Sequence, residues 1–467
     1  MAAFLASTTK AQAETPAAVA AVRVHGVKRT ADWAVARETA GLFAATTWGQ
    51  LVRRSYQAAR HLEHVGLFQQ VQVVIAKAPS SALDQDEAPP RYSVCFVGEE
   101  PAPFNVHLYA GTDNAGEGVG TLKVARANAF GAGERVEGGA TYGHRGTKLF
   151  NVDYTKRFLG WQRYVTYSAS AFRSRLWFPP SSFTTLETGS SLRLSTQWWR
   201  RLLNASCTVS AAWRETAALA GAPFHVLEQS GHSLNELSSV LFVSAKPKAL
   251  ERERVGRRLS RFDNQDSAVL PTSGVLAKYA CEVASPNLMG DVGFVHNSVD
   301  LKVAYTVNNL LGLTLAATLK GGHVTPTYGR TLPMADRLYL GGPTSLRGFL
   351  PSATGPSVDG GRAGSHVGGM TTVASALHLF LPLFPDLLFA HAFVGAGNIL
   401  PVDYGRRRAS ELGLQLLQGP RASAGLGLAL KFDDIFRFEL NYCWPLGFRA
   451  TDRLQTGFQI GVGVDFS

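Results

Sequence analysis

The chain has 467 residues and a formal net charge of +11; only 17% of its residues are charged, while 47 are glycine and 10% are aromatic. No uninterrupted apolar run reaches the ~20 residues of a membrane helix, which excludes a helical membrane protein; few charges with many glycines and aromatics fit strands that show one face to lipid. The basic residues are scattered over strand positions and not gathered on one helix or tail, so nucleic acid is not an expected partner.

Met1 to about Ala20 reads as an Ala-rich tail, without the basic n-region and apolar h-region of an export signal. Val22–Val27 alternates as a short strand. Thr30 is placed to cap a helix running to about Ala40, and Thr47 to cap a second from Trp48 to His64 that Gly66 closes. Leu51, Ser55, Leu62 and Val65 share one face of the second helix. Gln70–Ile75 and Arg91–Val97 read as two strands around a polar, Pro-flanked hairpin loop. The order β-α-α-β-β predicts a small α+β domain over 21–99 with a three-stranded sheet and an open edge.

From 100 onward the pattern is strands without helices. Phe104, Val106, Leu108 and Ala110 alternate with Asn105, His107 and Tyr109. Val299, Leu301, Val303 and Tyr305 alternate with Asp300, Lys302 and Ala304. Late in the chain Leu426, Leu428 and Leu430 oppose Gly425, Gly427 and Ala429. Phe438, Leu440, Tyr442 and Trp444 oppose Arg437, Glu439, Asn441 and Cys443. Phe458, Ile460, Val462, Val464 and Phe466 oppose Gln459, Gly461, Gly463 and Asp465. One apolar face, one polar or glycine face and aromatics near the strand ends predict a mainly β chain: a transmembrane antiparallel barrel over 100–467, of about 16 strands of ~9–11 residues. Between Ser181 and Leu259 individual strands are not legible.

Chemistry-bearing motifs are few. Cys95, Cys207, Cys281 and Cys443 are far apart and form no Cys-x-x-Cys or Cys/His cluster, so neither a metal site nor a disulfide framework is expected. No Walker loop, His-Glu-x-x-His or Gly-x-Ser-x-Gly occurs, and the Gly-x-Gly pairs lie on strands, so neither an enzyme nor a cofactor is expected. The stretch that stands out is Arg337–Phe349. Gly341-Gly342-Pro343 turns the chain, and Leu346-Arg347-Gly348-Phe349 then presents one guanidinium, with five donors and no acceptor.

This stretch resembles the loop-six motif of the outer-membrane barrel-assembly superfamily, a hydrophobic-Arg-Gly-aromatic pattern after a Gly-Gly turn. Gly66-Leu67-Phe68-x-x-Val71 resembles the POTRA domain, a polypeptide-binding module. Asp263-Asn264-Gln265-Asp266 with Pro271–Gly274 and Glu282 resembles a second superfamily motif, with Gln265 in place of the usual arginine. Leu377-His378-Leu379, Ala396-Gly397-Asn398 and Phe438–Pro445 are similar to the core barrel of the mitochondrial sorting and assembly machinery. Gln459, Gly461, Val462, Val464 and Phe466 fit the mitochondrial β-signal pattern. The resemblance implies a protein of the mitochondrial outer membrane with its POTRA-like domain in the intermembrane space. It implies insertion of β-barrel precursors at a lateral gate between Phe104–Gly111 and Gly457–Phe466, with accessory subunits of the machinery and the lipid bilayer as partners. A polypeptide-translocating pore of the same superfamily is the alternative. In bacterial relatives carboxylates hold the loop arginine; the matching positions here are His378 and Gly395, which leaves Glu439, Asp465, or backbone carbonyls and water to meet Arg347.

Overall fold

The computed structural model describes residues 13–78, 89–112, 117–162, 164–198, 203–245, 262–263, 267, 269–285, 290–308, 310–358, 364–384, 387–402, 409–432 and 436–463. The chain divides into two compact units. One comprises Met1–His107, Lys123–Gly138 and Val152–Ser168, and the other the remainder.

In the first unit β1 (Ala18–His25) precedes α1 (Asp32–Thr39) and α2 (Trp48–Val65), followed by β2 (Gln70–Lys77) and β3 (Arg91–Glu99). β3 is central, parallel to β1 and antiparallel to β2. The first strand begins at Ala18, inside the stretch read as tail. α2 forms where its ends are satisfied: the Thr47 hydroxyl accepts the Gln50 amide at 3.3 Å, and Gly66, at φ 86°, closes the last turn in the left-handed region. Its buried face of Leu51, Ser55, Leu62 and Val65 packs with Leu67, Phe68, Val94 and Phe96. Each large apolar side chain in that core contributes about 1.5–3 kcal/mol. The Phe68 ring covers Gly98, where a Cβ would come within 2.5 Å of it. A bulkier residue at Gly98 would therefore force Phe68 out of the core.

Thr30 does not cap α1. The N-cap is Ala31, which makes no side-chain cap bond. The Thr30 hydroxyl instead donates to Glu100 Oε1 and accepts from Asn128 Nδ2, both at 2.8 Å. Glu100, its side chain 4% exposed, also accepts the Lys28, Arg29 and Thr30 amides at 2.9 Å each and pairs with Arg29 Nε at 3.1 Å. Burial pushes this carboxyl upward, but the three amides and the Thr30 hydroxyl outweigh it and hold the pKa at about 2, against an ordinary 4.5. A folded-state pKa below the unfolded one stabilises at pH above the unfolded value, and that contribution is lost as pH falls towards the folded value. Glu100→Gln is therefore expected to lower amide-exchange protection of Lys28–Ala31 roughly thirtyfold at pH 7, as for a charged acceptor lost to buried amides. The gap to the unsubstituted protein should narrow between pH 4.5 and 2. A gap independent of pH over that window would refute the assignment.

The second part of the chain is strands: β4 (Phe104–Thr112), β5 (Gly118–Ala127), β6 (Arg135–Gly143), β7 (Lys148–Arg157), β8 (Val165–Phe178), β9 (Phe183–Trp198), β10 (Leu203–Ala218), β11 (Gly231–Ala245), β12 (Phe262–Asp263), β13 (Gly274–Ala284), β14 (Phe294–Asn308), β15 (Leu313–Pro326), β16 (Thr371–Phe384), β17 (Leu388–Leu400), β18 (Arg421–Phe432), β19 (Phe436–Gly447) and β20 (Gly457–Gly463). Two short helices, α3 (Phe224–Glu228) and α4 (Ala409–Leu417), lie in connections. From β9 to β20 the neighbours are antiparallel, with β13 paired to β11 and to the two-residue β12. β9, β10 and β11 occupy the stretch that resisted reading, at 16, 16 and 15 residues, well beyond the expected length.

The two faces differ as the alternation requires. Val299, Leu301, Val303, Tyr305, Leu426, Leu428, Tyr442, Trp444, Phe458 and Ile460 are exposed. Glu439, Asn441 and Gln459 are buried on the opposite face. An exposed apolar face this extensive is untenable in water and natural in lipid. No helix among the described residues is long and apolar enough to cross a membrane.

Candidate functional site

The long connection between β15 and β16 carries Arg347. Its entry turn is internally bonded: the Gly341 amide donates to Ser345 Oγ at 3.0 Å, and the Gly342 amide to Leu346 O at 3.1 Å. Gly341 adopts φ 115°, and a Cβ there would approach Leu350 O to 2.4 Å, so the turn tolerates no side chain at that position. Leu340, Leu346 and Phe349 bury against Ala374 and Ile399 on the strands. These apolar anchors flank Arg347 on both sides and fix the direction in which it points.

Arg347 Nη2 meets Glu439 Oε2 of β19 at 3.0 Å, with side-chain exposures of 2% and 0%. Of the two carboxylates weighed from the sequence, Glu439 is thus the partner; Asp465 lies outside the described residues. Glu439 Oε1 also lies 2.7 Å from Arg437 Nη2, so one carboxylate serves two guanidiniums. Asn441 Nδ2 donates to Glu439 Oε2, and Asn441 Oδ1 accepts from His391 Nδ1, both at 2.9 Å. His391 Nε2 in turn lies 3.0 Å from His378 Nδ1. His378, one of the two positions matched to bacterial carboxylates, therefore stands at the far end of a polar chain leading to Glu439. Gly395, the other, packs near Leu346.

Two aromatic rings complete the site. The Arg347 guanidinium lies 5.1 Å from the Phe393 ring centre, and that of Arg437 lies 5.4 Å from Phe380. Gly425 and Gly427 of β18 explain how the groups fit. A Cβ at Gly425 would meet the Phe393 ring at 2.4 Å, and one at Gly427 would meet Asn441 Oδ1 at 2.3 Å. The glycines on the polar face of β18 are thus space for their neighbours' side chains.

The same loop is tied to the last hairpin through its backbone. Leu350 N donates to Arg453 O and Arg453 N to Ala353 O, both at 3.0 Å, and Gln455 N donates to Gly348 O at 2.9 Å. Gln459 of β20 accepts the Gly348 amide and donates to Phe349 O, at 3.2 Å each. Further along, Asp452 accepts the Gly355 amide at 3.0 Å and both its oxygens face Arg421 Nε at 2.9 Å. Near the start of the loop, Arg214 of β10 holds both oxygens of Asp336 at 2.8 Å. Three ion-paired carboxylates and a backbone strap make the loop a fixed structure.

The sequence-derived residues are distributed as follows. Gly341 and Gly342 form the turn that pairs Gly342 with Leu346, Leu346 packs with Phe349, Arg347 meets Glu439, and Gly348 and Phe349 bond to Gln459. Phe104, Val106, Leu108 and Ala110 alternate on the exposed face of β4. Gly461 and Val462 pair by backbone with Glu439 and Phe438. Val464 and Phe466 lie outside the described residues, as do Asn264, Gln265 and Asp266. Arg437, Phe393, Asn441, Asp452 and the inward role of Gln459 were not singled out from the sequence. Arg437 and Asn441 share the parity of Glu439, a signal that was present. Asp452 sits in a turn where no periodicity points to it.

Residues 128–466 match the model of the Omp85 superfamily domain. The chain is 30% identical over 456 residues to Sorting and assembly machinery component 50 homolog A of Xenopus laevis, covering 95% of this chain and 90% of that protein. It is likewise 30% identical over 456 residues to Sorting and assembly machinery component 50 homolog of Homo sapiens, with 95% and 89% covered. Among solved structures, BamA from Haemophilus ducreyi lacking POTRA domains 1–3 superposes with a TM-score of 0.75 at 16% identity, over 96% of this chain and 84% of that one. CdiB from Acinetobacter baumannii gives 0.54 at 15% identity, over 96% and 73%. The chain belongs to the Omp85 superfamily and, within it, to the sorting and assembly machinery component 50 family.

Proposed function

We propose that this chain inserts and folds β-barrel precursors in the mitochondrial outer membrane, taking the precursor's terminal strand at a lateral gate between β4 and β20. The relatives' name, a component of a sorting and assembly machinery, supports the activity and the compartment. The observation that carries the gate is the strap that ties the Arg347 loop to β19, to β20 and to the turn between them. A loop anchored to the final strand registers where that strand is.

The strand order runs from β20 to β4, which supports a closed barrel. Counting β12 as part of the β11–β13 ladder, β4–β11 give eight strands and β13–β20 another eight, about 16 in all. An even number lets first and last strands pair antiparallel. Closure removes free edges, so opening one seam creates a template for an incoming strand. Gly457 and Gly461 weaken packing along β20 and make it the easier strand to displace. Bonds lost at the seam are replaced by bonds to the precursor, and no nucleotide is needed. The α+β domain over 21–99, POTRA-like and facing the intermembrane space, offers its sheet edges to polypeptide before insertion; accessory subunits of the machinery are further partners.

A photo-crosslinking residue placed at Val106, Leu108 or Ala110 is expected to capture a peptide carrying the β-signal, while one at Val124 of β5 captures none. Equal capture at both strands, or none at β4, would sink the gate and favour a translocating pore.

A further inference from the structure

One cavity of the second unit lies outside everything described so far. It has a volume of about 440 Å³ and is lined by Lys148 and Phe150 of β7, Arg173 and Arg175 of β8, Leu186 of β9 and Glu215 of β10. Register decides which face of the wall it occupies. Arg214 pairs across to Glu187 and turns to Asp336 of the long loop, so the next residues along, Glu215 opposite Leu186, point the other way. That is the face on which Trp213, Leu192 and Leu194 are exposed. With the strand wall read as membrane-spanning, on which this inference rests, the cavity opens towards lipid.

Its height in the wall is also defined. Lys148 begins β7, while Arg173, Arg175, Leu186 and Glu215 lie within a few residues of the β8–β9 and β10 ends. The turn after β8 bonds to the long loop: the His366 amide donates to Pro180 O at 2.8 Å, and Ser182 Oγ lies 2.7 Å from Ser365 Oγ. The cavity therefore sits on the outer rim at the end of the wall that the loop occupies. Rims are where lipid headgroups lie, and cations there meet phosphate.

The three cations are exposed, and none of them is in a salt bridge among the described residues. Unpaired like charges gathered beside Phe150 and Leu186 repel one another and leave a site short of an anion. Scattered surface cations need no such partner, but these converge on one concavity with an apolar floor. Three cations against one carboxylate leave a local charge of about +2 for a ligand to neutralise. Glu215 adds a single acceptor, which a bare phosphate would be repelled by and a hydroxyl-bearing headgroup would use.

We propose that this cavity binds the headgroup of an anionic phospholipid, its phosphate held by Lys148, Arg173 and Arg175, its hydroxyls facing Glu215 and its acyl chains running down over Phe150 and Leu186. The consequence is a lipid fixed to the wall on β7–β10, away from the seam strands. Such a lipid would seat the barrel in the bilayer at a defined height while β20 moves.

The test uses the full chain in phosphatidylcholine nanodiscs containing phosphatidylinositol, with retained lipid counted by native mass spectrometry after release into detergent. The unsubstituted protein is expected to retain phosphatidylinositol over phosphatidylcholine. The double variant R173Q/R175Q should bind it roughly thirtyfold more weakly, as for two cations lost at a membrane surface. R126Q, which removes an exposed arginine elsewhere on the strands, should change nothing. Folding of each variant is checked by its heat-modifiable electrophoretic mobility, and client insertion is measured in parallel, so that loss of the lipid and loss of the insertase activity are separable. Equal retention by folded R173Q/R175Q would overturn the proposal. So would displacement of the lipid by millimolar inorganic phosphate, which would make the cavity a simple anion site.

Discussion

Glu439→Gln is expected to damage this protein more than Arg347→Ala, although the arginine belongs to the recognisable motif. The carboxylate is fully buried and faces two guanidiniums, at 3.0 Å and 2.7 Å. Removing one partner from a buried pair leaves an uncompensated charge and costs about 3–5 kcal/mol. Glutamine at 439 removes the carboxylate that both Arg347 and Arg437 face. Alanine at 347 leaves Glu439 still paired with Arg437 and bonded to Asn441, so its cost is on the order of half as much. The folded fraction, read from heat-modifiable mobility after refolding into lipid, should therefore fall in the order unsubstituted, R347A, E439Q. Adding R437M to E439Q should recover part of the loss, because one of the two buried cations that faced the carboxylate is removed. Equal behaviour of R347A and E439Q would mean that Arg437 draws its stability from Val269 O and the Phe380 ring, and not from Glu439.

The wall and the loop were legible in the residues for a physical reason. Period-2 alternation with one face exposed to lipid is imposed along the chain, so Phe438, Leu440, Tyr442 and Trp444 announce their strand without a structure. The Gly-Gly turn and the apolar residues flanking Arg347 likewise form a local pattern. Pairings between distant strands are different in kind. Alternation puts Glu439 and Asp465 on the polar faces of their sequence stretches, but does not say which one lies at the level of Arg347, because level depends on register and strand tilt. The same holds for Arg421 with Asp452 and for Arg214 with Asp336. β9–β11 could not be placed one by one because their sequences are rich in Ser, Thr, Ala and Gly with only scattered large apolar residues, as in Gly189-Ser190-Ser191-Leu192, and such residues carry little hydropathy contrast. Thr30 looked like a cap because its type suits that role, while a carboxylate 70 residues on claimed its hydroxyl. Local signals thus found the elements, and long-range chemistry decided their partners.

Locking the seam is expected to stop client insertion altogether. After the four native cysteines are replaced, single cysteines are introduced pairwise along Leu108–Gly111 of β4 and at Gly457, Phe458, Ile460 or Gly461 of β20, sparing Gln459, and the pair that oxidises defines the register. The strap from Gly348 and Phe349 to Gln459 remains in place in such a variant, so loop and wall stay intact while the edge of β4 stays covered. Proteoliposomes holding the oxidised variant should then bind a β-barrel precursor but fail to carry it into the membrane. Reduction of the disulfide should restore insertion in the same sample. Insertion at the unsubstituted rate with the seam oxidised would contradict strand exchange between β4 and β20 as the route by which this protein works.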